Sequence, residues 1–254
     1  MYEYVEPSDN WVLDQLAVYQ TANSAHQSVK NNFIVRTEEF QQMVDNLLIK
    51  RQNDPLQHEL ILGRRGSGKS TILKRLEIEL SENKKLNQQY VAINLPEEQA
   101  AVYRQFYLWE MVTAALNQFH HFDIAPIGLG AFSSEQAYTR ALYALIHESC
   151  VQRKKRIVLL LDNFDRIIEN LADDGSLLRE ILINYNDVQI IAGSTRMDEH
   201  FWRYDMPFYD FFRIQRLEPL SNVEIQILLT HWGNSLGTDA LQVFVKNYPG
   251  KLEI

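Results

Sequence analysis

Gly63-Arg64-Arg65-Gly66-Ser67-Gly68-Lys69-Ser70, followed directly by Thr71, fits the spacing G-x-x-x-x-G-K-[ST] without departure. Glycines at these positions let a backbone turn tightly and bring several N–H groups onto a polyphosphate. The Lys69 ammonium would then reach the β- and γ-phosphates, and the Ser70 hydroxyl would serve as a Mg²⁺ ligand. An ordinary glycine turn is the alternative, and the flanks speak against it. His58-Glu59-Leu60-Ile61-Leu62 reads as a short strand leading into the loop. Ile72 to Leu80 carries apolar residues at helical spacing, so a helix leaves it. Gly63 through Thr71 are therefore expected to hold a nucleoside triphosphate.

Such a site needs a carboxylate for the metal shell and a group that orients the attacking water. The apolar strand Ile157-Val158-Leu159-Leu160-Leu161 ends at Asp162, which we take as the metal-side acid paired with Ser70; the other reading is a strand-ending turn. Asn163 follows, where many ATPases carry a catalytic Glu. A carboxamide can orient water but cannot accept its proton, so slow hydrolysis is expected, suited to a switch or to activation by a partner. Asp165 is the nearest alternative base, or equally the cap of a helix beginning near Phe164. Gly193-Ser194-Thr195-Arg196 closes the next strand on the same sheet edge. Thr195 would touch the γ-phosphate or the lytic water and Arg196 would add charge, unless this is only a polar strand end with a solvent-facing Arg. Arg203, Arg213 and Arg216 are competing candidates for a finger donated to a neighbouring subunit.

The elements that must position these groups follow from periodicity. Helical patterns cover Trp11 to Val29 and Thr37 to Lys50, then Gln105 to Phe119, Glu135 to Gln152 and Ser176 to Asn184. Tyr90 to Leu95, Val188 to Ala192 and Phe212 to Leu217 read as further strands, and helices at Asn222 to Asn234 and Asp239 to Asn247 close the chain. Strands apolar on both faces and alternating with helices imply an α/β fold with a parallel sheet covered on both sides. We expect an N-terminal helical segment over 1–30, a core over 31–218 and a small helical lid over 219–254. The final turn, Tyr248 to Ile254, resembles the start of another helix, as if the chain were a piece of a longer protein.

The 254 residues carry a formal charge of −8, so no global field draws the chain to nucleic acid or to anionic lipid. An acidic N-terminus without an apolar core is no signal peptide, and the apolar run Ile157 to Leu161 is too short to span a bilayer; a cytoplasmic protein with no membrane partner is expected. The single cysteine, Cys150, falls on an apolar helix and reads as a buried, inert thiol. Arg153-Lys154-Lys155-Arg156 reads as a solvated helix end, and His120-His121 as exposed loop histidines without metal-ligand spacing. The aromatics from Trp202 to Phe212 are dense enough to suggest an interface.

Taken together, these residues resemble the additional-strand P-loop ATPases, of the AAA+ replication-initiator-like and STAND groups. Phe33-Ile34-Val35-Arg36-Thr37-Glu38-Glu39 is similar to their F-[VI]-x-R-x-x-E element, with Val35 in place of the usual Gly. Leu161-Asp162-Asn163-Phe164-Asp165 and Ser194-Thr195-Arg196 are similar to the STAND second motif and T-T-R. Leu217-Glu218-Pro219-Leu220 resembles the start of the lid. The resemblance implies a P-loop NTPase three-layer α/β/α fold, sheet order 5-1-4-3-2, and ATP with Mg²⁺ as ligands. It also implies that Ile34, Val35 and Pro219 lie at the adenine and that Arg196 senses the γ-phosphate. Expected partners are further copies of the chain, an unidentified protein and, through a downstream winged helix, DNA. A nucleotide-driven switch leads; a DNA loader or a scaffold without significant hydrolysis are the alternatives.

Overall fold

The computed structural model describes residues 26–51, 54–95, 104–171, 175–196, 201 and 203–236. Its first half comprises α1 (His26–Asn32), α2 (Thr37–Ile49), β1 (His58–Leu62), α3 (Lys69–Glu82), α4 (Lys84–Gln89), β2 (Tyr90–Leu95) and α5 (Gln105–His120). A 3₁₀ turn at Leu129–Ala131 precedes α6 (Glu135–Arg153), β3 (Arg156–Leu161), α7 (Phe164–Asn170), α8 (Gly175–Asn184), β4 (Val188–Ser194), β5 (Phe212–Arg216) and α9 (Asn222–Leu236). The expected helices over Trp11 to Val29 (before residue 26) and Asp239 to Asn247 lie outside the described residues.

Side chains of β3 explain the architecture. Ile157, Leu159 and Leu161 enter one core with α5, α6, α7 and α8, whereas Val158 and Leu160 enter a second with α2, α3 and α4. A strand buried on both faces sits between two helical layers, and every strand pair is parallel. The order is β2-β3-β4-β1-β5, which read from β5 is the expected 5-1-4-3-2. Leu62 pairs with Ser194 and Leu161 with Ala192. This register brings the ends of β1, β3 and β4 to one edge, where the chemistry-bearing residues begin.

Helix α4 has no counterpart in the sequence pattern, because its run Lys84 to Gln89 is polar. A local cap makes it: the Asn83 side chain accepts from the N–H groups of Lys85 (3.1 Å) and Leu86 (3.4 Å), and Leu86 is buried. The basic run is only in part a solvated helix end. Arg156 is buried and donates to the carbonyls of Arg51 (3.1 Å) and Asp54 (2.8 Å), while Lys155 donates to that of Asn87. His120 is half-buried rather than exposed, with Nε2 3.1 Å from the Ala92 carbonyl, and burial lowers its pKa. Phe201, Phe208 and Phe212 pack around Phe164 in the core, leaving Tyr204 and Tyr209 exposed. Cys150 is buried as expected, and burial pushes its thiol up to about 12.

Trp109 is fully buried, with its ring 4.7 Å from Tyr143. Trp109→Ala should cost about 3 kcal/mol in urea unfolding, the low end for such a truncation. The low end applies because the indole N–H is buried without a partner among the described residues. A loss under about 1 kcal/mol would show that this core is slack.

Candidate nucleotide-binding site

The loop after β1 takes its shape from its glycines. Gly66 (φ 82°) and Gly68 (φ 98°) hold left-handed backbone that strains any residue with a side chain. A β-carbon at Gly63 would collide with Ser67 Oγ. The Ser67 N–H donates to the Arg64 carbonyl (3.1 Å), and Gly68 immediately precedes α3. Lys69 and Ser70 therefore stand in the first turn of that helix, whose leading N–H groups have no intrahelical acceptor. The Lys69 ammonium is buried and donates to the carbonyls of Gly63 (2.8 Å) and Arg64 (2.9 Å).

Across the sheet edge, the Ser70 hydroxyl donates directly to Asp162 Oδ2. Asp162 is 9% exposed, and its other oxygen accepts the Asn163 N–H at 2.9 Å. Asn163 turns the chain from β3 into α7 with left-handed backbone (φ 49°, ψ 47°). Asn tolerates this conformation better than Glu does, which gives a conformational reason for its place here. Asp165 is not the cap of α7, since Asn163 precedes the helix; it lies inside the first turn and is 4% exposed. Thr195 donates to Asp165 Oδ2 at 2.7 Å. Arg196 is half-exposed, paired with Glu169 and 3.9 Å from Asp165.

These groups face a cavity of about 700 Å³ between the core, α1 and α9. Arg65 to Thr71, Asp162, Asn163, Asp165 and Thr195 all line it, as does Val35. Gly63 and Arg64 contribute the carbonyls behind Lys69. Ile34 and Pro219 are not on its wall: Ile34 borders a separate depression with Val223 and Ile227, while Leu220 and Leu228 line the main cavity. Arg36 joins the two sides. Its guanidinium bonds Glu39 (3.0 Å) and the Glu218 carbonyl in the segment that leads to α9. Asn32 of α1 is 3.3 Å from His231 of α9.

Three buried polar atoms without a partner among the described residues belong to residues lining this cavity: Arg36 Nε, Ser67 Oγ and Asp165 Oδ1. A wall of unmet donors and acceptors around an ammonium suits a polar, anionic ligand. Ser70 and Asp162 offer two hard oxygens side by side. That donor set suits Mg²⁺, which usually takes one or two protein oxygens and fills its shell with phosphate and water. No ring of three His, Cys, Asp or Glu occurs among the described residues.

Sequence reasoning passed over several members of this wall. Arg166 lines the cavity from α7, and Ser28, Val29 and Asn32 line it from α1. Nothing in local periodicity marks them. β4 runs two residues beyond the expected Val188 to Ala192, so Gly193 lies inside the strand and buried rather than after it.

Residues 57–199, more than half of the chain, match the AAA domain family. No curated protein matches the sequence. Among solved structures, Cdc6p from Pyrobaculum aerophilum is similar at 17% identity and TM-score 0.54, over 80% of this chain and 50% of that one. The Aeropyrum pernix ORC2 protein, solved as ADPNP–ADP complexes, gives 13% identity and TM-score 0.60 over 79% and 52%. Drosophila ORC bound to DNA gives 17% identity and TM-score 0.54 over 89% and 52%. The chain thus spans about half the length of these structures, and at such identities they speak for the fold. No described helix is long and apolar enough to cross a membrane. Loop, sheet order and family match agree: this chain belongs to the AAA domain family and has its P-loop ATPase fold.

Proposed function

We propose that the chain binds ATP with Mg²⁺ in this cavity and acts as a nucleotide-driven switch with slow hydrolysis. The observation that carries the reading is the Ser70–Asp162 bond beside the buried Lys69 ammonium. In this reading Lys69 leaves the Gly63 and Arg64 carbonyls for the β- and γ-phosphates, and the loop N–H groups cradle them. Bound Mg²⁺, held by Ser70 and Asp162, supplies charge neutralisation at the phosphate oxygens. Asp165, anchored by Thr195 through one oxygen, keeps Oδ1 for the proton of the attacking water. The water oxygen bonds to the γ-phosphorus, the bond to the β-phosphate oxygen breaks, and ADP leaves. Slowness follows from Asn163, which orients water but accepts no proton, and from Asp165 being already engaged by Thr195 and Arg196. Arg196 reaches the γ-phosphate only after leaving Glu169, and α9 carries the change outward.

We assign 31–218 to the ATPase core and 219–254 to the lid. Ser28 and Val29 make the end of the 1–30 segment part of the site. Titration with a fluorescent ATP analogue and a steady-state phosphate-release assay test the proposal. Saturable, Mg²⁺-strengthened binding is expected, with turnover below about 10 per second, the enzyme median. Faster turnover would overturn the slow switch, and absence of binding would overturn the whole reading.

A second reading, loading onto DNA, has support from fold neighbours such as the Drosophila ORC bound to DNA. The charge of −8 opposes it for this chain. Fluorescence anisotropy with duplex DNA and the full-length protein separates the two. Tight binding only with ATP would favour the loader; ATP-dependent oligomerisation without DNA binding would favour the switch.

A further inference from the structure

We infer that Gly193 is a positioning residue: its missing side chain leaves the space in which the Asp162 carboxylate and the Lys69 stem approach each other. The inference rests on the nucleotide reading above. Gly193 lies within β4, fully buried, and its φ is not in the left-handed region, so no turn requires a glycine there. Glycine in a strand interior costs roughly 0.5–1 kcal/mol against alanine, and close approach of another group is the usual reason for keeping it. Here the approaching groups are identifiable. The register sets Ile61 of β1 beside Gly193, and Leu161 pairs with Ala192, which brings Asp162 to the level of Gly193.

A β-carbon at Gly193 would lie 3.0 Å from Asp162 Oδ1, 3.4 Å from Lys69 Cβ and 3.6 Å from Lys69 Cδ. Neither neighbour can yield freely. Asp162 Oδ1 accepts the Asn163 N–H at 2.9 Å, and its other oxygen is bonded to Ser70. Lys69 Cβ belongs to the first residue of α3, and its ammonium is tied to the Gly63 and Arg64 carbonyls. A methyl group would therefore move the carboxylate relative to Ser70 by a few tenths of an ångström. Mg²⁺ demands near-ideal octahedral geometry, so a shift of that size matters to it far more than to the phosphate cradle. By contrast, a β-carbon at Gly130 meets nothing within 4 Å.

The test is a titration of the intact chain with a fluorescent ATP analogue over a range of Mg²⁺ concentrations and again in EDTA. Gly193→Ala should raise the Mg²⁺ concentration for half-maximal nucleotide binding about tenfold, as outer-shell changes do. Affinity in EDTA should change less than about twofold, and Gly130→Ala should match wild type. A merely structural role would weaken both affinities alike and overturn the inference. In an Asp162→Asn background, Gly193→Ala should add no further shift; an additive shift also overturns it. If Gly193→Ala loses its cooperative unfolding transition, Asp162→Glu crowds the same space from the other side. An unmoved Mg²⁺ midpoint in that variant would show the space to be slack and the inference wrong. Should wild type bind the analogue while Gly193→Ala leaves its midpoint unmoved, only this inference falls. Should wild type itself not bind, the nucleotide reading falls with it.

Discussion

Lys69→Ala is expected to weaken MgATP binding about 100-fold or more while leaving the fold intact. The ammonium is the only side-chain cation tied to the loop carbonyls among the described residues, and it is buried where it would meet two phosphates at once. Removing one partner of a desolvated, hydrogen-bonded charge pair costs about 2–5 kcal/mol, and about 2.7 kcal/mol is a hundredfold in affinity. Folding should be little affected, since Lys69 itself lines the cavity and water can take its place beside the Gly63 and Arg64 carbonyls. Isothermal titration with MgATP, alongside thermal unfolding, measures both quantities. Wild-type affinity in this variant would mean that the loop does not hold the triphosphate.

Asp165→Asn should reduce phosphate release about 100-fold or more, within the range that general-base removal produces, and should leave MgATP affinity within about twofold. The substitution is chosen for what it preserves. Asn can still accept the Thr195 hydroxyl bond, so geometry is kept and the proton acceptor is lost. Loss of the charge from the first turn of α7 costs only about 0.3–1 kcal/mol of helix stability. A single-turnover measurement reads the chemical step directly. Hydrolysis at the wild-type rate would show that Asp165 is not the base, and that the unmet Oδ1 serves structure instead.

Much of this site was legible because its residues announce themselves locally. The loop spacing, the five apolar residues before Asp162 and the polar run Ser194-Thr195-Arg196 each sit at a strand end, and parallel strands bring their ends to one edge. Sheet order came through the resemblance, and the observed register agrees with it. The unread parts are long-range. Arg36 bonds a carbonyl 182 positions away, and Asn32 meets His231 across 199. No pattern within a window of residues encodes such pairs. Ile34 and Pro219 do not line the cavity, whereas their neighbours Val35 and Leu220 do, a one-position difference that spacing alone does not resolve. The basic run misled in the other direction. Arg156 looks solvated in sequence, yet carbonyls of the chain leading into β1 satisfy it internally.

The corner at Asn163 limits what can stand in its place. Installing a glutamate there would ask it to occupy φ 49°, a bend that side chains without a short amide resist by about 1–2 kcal/mol. On the proposed reading, a variant meant to hydrolyse faster would have to reshape the junction between strand and helix before it changed the reactive group. In the proposed switch, slow turnover would then rest on the backbone as much as on the choice of side chain.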